Sequence, residues 1–310
     1  MRWLLLALEH ASAAAPAARA QAMFVGSRIA DQHGELDVAY ELLSGSRDLY
    51  EQVGDRSGLV FAVSHLGGFA SDRGDDATAD RFGWRSIDLA RDLGDPWYTA
   101  MALNNHGYNR VQRGEVDEAT AGLLEESLSL RRELGEPRGL AVTLASLAEL
   151  HLLHGDLVAA EPLLEEMSAM VDGLPHSELA VVAANLQGFL DLLGGDTDKA
   201  SATFGAALQQ ASSSGYRRTT AEAVLGLAGV AAARGLDTRA LRLCSAAVVD
   251  ESPDGHRLAA LHQRVVDAVH AHTAGVDEAT RATVARAARE ASLDRVVAEA
   301  LAGVTQARNR

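Results

Sequence analysis

The chain has 310 residues, 47% of them hydrophobic, and its 43 acidic side chains outnumber 28 basic ones to give a net charge of −15. That length suits two domains or one elongated repeat array, and that charge repels phosphate backbones, so direct nucleic-acid binding is not expected. Aromatics are only 5% and alanine leads the apolar set, which favours closely packed helices over a sheet core.

The opening stretch MRWLLLALEHASAAAPAARA reads in two ways, as a secretory signal or as part of a helix. Its apolar run from Trp3 to Leu8 is short for export, and Glu9 and His10 interrupt it. Beyond it the chain repeats. DQHGELDVAYELL, SDRGDDATADRFG, VQRGEVDEATAGLL, LLHGDLVAAEPLL, LLGGDTDKASATF and AARGLDTRALRLC align on Gly34, Gly74, Gly114, Gly155, Gly195 and Gly235, at spacings of 40, 40, 41, 40 and 40. Five residues after each glycine stands an alanine: Ala39, Ala79, Ala119, Ala160, Ala200 and Ala240. Seven residues before each stands a small residue: Ser27, Gly67, Gly107, Ala148, Gly188 and Ala228. A second break recurs at Gly54, Gly94, Gly135, Gly173, Gly215 and Gly255.

These marks predict two antiparallel helices per unit. A glycine in the left-handed region ends the first helix, a following Asp caps the second, and the paired small residues let the two backbones approach closely. Asp95-Pro96 reads as a helix start, and Thr219-x-x-Glu222 as a capping box. Carried backwards, the period puts the second helix of a preceding repeat at the chain start. Trp3 then falls on the large-residue position of Leu43, Leu123, Leu164, Phe204 and Cys244, and Pro16 on the helix-start position of Pro96. Residues 1–15 are therefore expected to be the second helix of a truncated repeat, and 16–255 the repeat array.

The pattern small-x₆-G-[DE]-x₃-A, with Leu66-Gly67, Leu227-Ala228, Phe204 and Ala207, resembles the tetratricopeptide repeat (TPR), in a longer-helix variant like that of MalT-like regulators. EESLSLRRELGEPRGLA, LARDLGDPWYTAMALNNHG and the opening WLxxAL-like stretch resemble the repeat region of bacterial LuxR-type and SARP-type transcriptional regulators and related signalling ATPases. The resemblance implies an all-α, TPR-like right-handed α-solenoid of about six helical hairpins. It also implies a cytoplasmic regulatory or sensor module that binds a protein, a peptide or a small inducer. A free-standing TPR adaptor is the alternative.

From His256 the period fails, and HRLAALHQRVVDAVHAH, VDEATRATVARAARE and SLDRVVAEALAGV predict three shorter helices. Residues 256–310 are expected to cap the exposed apolar end of the array. ARGLDTRALRLCSAAVV followed by ASLDRVVAEAL is similar to the segment ahead of the helix-turn-helix in LuxR-type regulators, which implies an output module, but nine residues after Leu301 cannot hold one.

In peptide-binding TPR proteins an asparagine on the first helix holds the ligand backbone, and Asn105 falls at that position in LNNHGY, with Tyr108 one turn on. His65, Ser146 and Glu149 occupy comparable positions, so these five residues are the candidate binding groove; the same side chains would also serve as the solvated face of amphipathic helices. Other chemistry lacks its residues. His151 and His154 have no H-E-x-x-H or cysteine partner, so no metal site is expected, and no G-x-S-x-G elbow presents a serine. The single lysine, Lys199, follows no glycine-rich phosphate loop. Cys244, the single cysteine, rules out an intrachain disulfide and stands where other repeats carry a large apolar residue, as a buried hydrophobe would. No apolar run reaches the roughly 18 residues of a membrane span. Neither catalysis nor a cofactor is expected.

Overall fold

The computed structural model describes residues 15–32, 35–171, 177–251 and 257–308, and every described element is a helix. The expected helix over 1–15 lies outside these residues, apart from Ala15 itself, as do Gly34, Gly173 and Gly255. Two compact units divide the chain, one reaching to Arg110 and including Glu118–Glu136, the other made of Val111–Asp117 and Pro137–Arg310. Unit 1 holds α1 (Pro16–Gln32), α2 (Leu36–Val53), α3 (Arg56–Asp72), α4 (Asp76–Leu93), α6 (Glu118–Leu134) and nearly all of α5 (Pro96–Gln112). Unit 2 holds α7 (Pro137–His154), α8 (Leu157–Val171), α9 (Glu178–Leu193), α10 (Thr197–Ser214), α11 (Arg217–Ala233) and α12 (Asp237–Glu251). It ends with α13 (Ala260–His272), α14 (Glu278–Arg289) and α15 (Leu293–Arg308).

Local chemistry sets the helix ends. All nine described turn glycines, Gly54, Gly74, Gly94, Gly114, Gly135, Gly155, Gly195, Gly215 and Gly235, have φ between 62° and 85°, a region that L side chains enter at a cost. Asp55, Asp75 and Asp196 then accept a hydrogen bond from the backbone N–H three residues on. Pro16 and Pro96 open α1 and α5 as expected, with Asp95 accepting from the Trp97 N–H. The capping box at Thr219 and Glu222 is corrected. Gly215 turns the chain so tightly that α11 already begins at Arg217, Thr219 bonds back to the Tyr216 carbonyl, and Glu222 pairs with Arg218.

The small residues stand where the hairpin helices meet. A Cβ on Gly107 would lie 2.7 Å from Leu124, and one on Gly188 2.7 Å from the Phe204 ring. Ala39, Ala79, Ala160, Ala200 and Ala240 are all buried, but Ala119 is exposed and Thr120 is buried in its place. The extra residue of the 41-residue spacing therefore lies in the turn at 115–117. Ser127, which donates to the Ala100 carbonyl as Ser46 does to the Ala20 carbonyl, shares the shift. Leu124, fully buried, accordingly replaces Leu123 in the large-residue position. At that same position Cys244 is packed in the apolar core of unit 2, and burial pushes its thiol up to about 11.

In unit 2 the first helices α7, α9 and α11 lie side by side, whereas α8, α10 and α12 stand further apart, so the first helices form the inner layer. The C-terminal segment does not stack as one more repeat. α13 packs on the inner helices, α14 on α12, and α15 on α10, with Val304 near Gly205 and Glu299 paired to Arg242. Among the described residues no helix is long and apolar enough to cross a membrane.

The shifted register has a measurable consequence. Thr120→Arg should lower the unfolding free energy by about 2 kcal/mol, by burying a charge in a filled seam, whereas Ala119→Arg should change it by less than about 0.5 kcal/mol. Urea denaturation of the two variants compares them directly, and equal losses would contradict the register.

Candidate functional site

The inner face of unit 1 is built from α1, α3 and α5. Phe61, Ser64, His65 and Gly68 follow one another at helical spacing along α3 and form one stripe. Phe24 on α1 meets both Phe61, at 5.9 Å between ring centroids, and His65, at 5.2 Å edge to face. Tyr98 and Trp97 on α5 approach Phe61 at 5.5 and 5.8 Å, and the Arg131 guanidinium lies 5.2 Å over the Trp97 ring. All these rings are half-buried. Unlike a core, this aromatic surface is partly open to solvent.

Three of the five candidate residues belong to this face. Asn105, half-buried, donates from Nδ2 to Ser64 Oγ at 2.9 Å and so ties α5 to α3. Burial, with the Arg28 charge adding to it, brings His65 down to about 4, so its ring is neutral at neutral pH and lies against Phe24 as an aromatic. Tyr108 is half-buried one turn beyond Asn105 on α5.

Ser146 and Glu149 lie in unit 2, on α7, and both are buried. Ser146 donates to the Val142 carbonyl of its own helix, which leaves its hydroxyl turned inward. Glu149, 8% exposed, accepts from Gln112 Nε2 at 2.8 Å. Along the same layer Asn185 Nδ2 donates to the Thr219 carbonyl at 3.0 Å and to Glu222 at 3.3 Å, and Arg218 reaches Glu222 at 3.2 Å. Above this row sits α13. Its His262 ring lies 5.6 Å from Phe189 of α9 and acts electrostatically on Glu149, and Val265 fills the space beside Gly229 of α11. Arg264 donates to the Leu152 and Leu153 carbonyls at the end of α7. The inner face of unit 2 is thus occupied by the chain's own helix.

Beside α13 opens a cleft of about 690 Å³ whose lining includes Gln112, Arg113, Arg257, Arg264 and Asp267. Its arginines are already engaged: Arg113 pairs with Glu115 at 2.8 Å, and Arg264 caps α7. His151 is half-buried and His154 exposed, and among the described residues no group of three His, Cys, Asp or Glu side chains could hold a metal.

Residue-by-residue alignment missed the aromatic face, although a signal was present. Eleven of the chain's fourteen aromatic residues precede residue 111, and four of them, Phe24, Phe61, Trp97 and Tyr98, converge on the first helices. No family model matches the chain, and no curated protein matches it.

Burial raises the Glu149 acid above its ordinary value of 4.5, a shift that Glu222 reinforces and that His262, Gln112 and Arg218 oppose. The folded chain then holds this proton more tightly than the unfolded chain does. Its stabilising contribution is complete at acid pH and is lost as pH rises from 4.5 through the raised value. Glu149→Gln keeps an oxygen for Gln112 and removes that loss. Its stability relative to the native protein, from urea denaturation, should be lowest near about pH 4 and should rise towards about pH 7. A difference that stays constant across that range would refute the assignment.

Proposed function

We propose that the chain is a non-catalytic helical-repeat module that binds polypeptide on its inner faces. One observation carries this reading: the inner face of unit 2 already receives a helix, α13, through ring contact, aliphatic packing and carbonyl capping. The same layer in unit 1 is aromatic and half-open, which suits an exchangeable ligand with an apolar side. Protein or peptide is the favoured partner, with a small-molecule inducer as the lesser form of the same reading. The net charge of −15 disfavours direct contact with nucleic acid.

The sequence resemblance supports a place for this module in a LuxR-type transcriptional regulator, as its cytoplasmic sensor region between an ATPase and a DNA-binding domain. A free-standing TPR adaptor is the second reading, supported by the same use of the inner faces. Sequencing the gene on both sides distinguishes the two: a P-loop upstream and a helix-turn-helix downstream are expected for the regulator, and a frame lacking both would exclude it. For binding itself, a displayed random-peptide library panned on the full chain should yield binders. Their capture should fall at least tenfold on the His65→Ala/Asn105→Ala double variant. Binders that hold native and variant protein equally would remove this face from the site.

A further inference from the structure

We draw no further inference here: the strongest candidate, the half-open aromatic surface on the inner face of unit 1 where Phe24, Phe61, Trp97 and Tyr98 meet, belongs to the site already described, and nothing in the structure shows what covers it.

Discussion

Close approach of the two backbones within each hairpin is the constraint on which the rest of the structure depends. Helices reach their shortest separation only where neither carries bulk at the crossing. The first helices meet this with Ser27, Gly67, Gly107, Ala148, Gly188 and Ala228, and the second helices with Ala39, Ala79, Thr120, Ala160, Ala200 and Ala240, all buried. A left-handed glycine returns the chain in so few residues that the crossing on the second helix falls five residues after Gly74, Gly155, Gly195 and Gly235, and six after Gly114, where the turn holds one residue more. Once that distance is fixed, the remaining faces are fixed with it. Positions counted back from the turn glycine then recur in successive repeats, as Gly68 and Gly229 do six residues before Gly74 and Gly235.

Where the seam varies, neighbouring volume compensates. Phe204 takes a position held elsewhere by Leu43, Leu124, Leu164 and Cys244, and glycines at 188 and 226 give way to its ring on either side. Unit 1 shows the converse. Gly83 stands at this position, and the His106 ring fills the space its side chain would take, edge to face with Trp84. Interiors packed at crystal-like density respond to a single methylene, so such exchanges have to be local and paired.

What the sequence makes legible is what the backbone settles locally. The turn glycines, their Asp caps, Pro16 and Pro96, and the phase of the repeat follow from rules spanning a few residues. A 41-residue spacing shows that one residue has been added and is silent about where. Only the buried Thr120 and the Ser127 hydrogen bond place it in the turn after Gly114. Thr219 and Glu222 carry the letters of a helix start, but Glu222 is needed three helical residues further in, by Asn185 and Arg218. The site was legible in part for a similar reason. Alignment puts His65, Asn105 and Glu149 on one face type, whereas the seat of α13 depends on contacts more than a hundred residues apart in sequence, such as Arg264 with Leu152. Amphipathicity reveals that α13 buries a side without saying against what.

The two inner faces commit the chain to different kinds of contact. In unit 2 the layer under α13 contains carboxylates and amides in apolar surroundings, and such groups are tolerable only when paired: Gln112 with Glu149, and Asn185 with Glu222 and Arg218. What α13 itself adds to this layer is the His262 interaction with Glu149 and the Arg264 bonds to the Leu152 and Leu153 carbonyls, which its departure would break. In unit 1 Asn105 bonds to Ser64 within the face itself, and next to that bond the rings of Phe24, Phe61, Trp97 and Tyr98 meet. Rings carry no directional demand that a departing ligand leaves unmet, and their flat surfaces accept different apolar partners at little reorganisation. A fixed helix on a polar layer and an open aromatic layer are thus the two outcomes that one repeat plan allows, and the second is the one suited to reversible recognition.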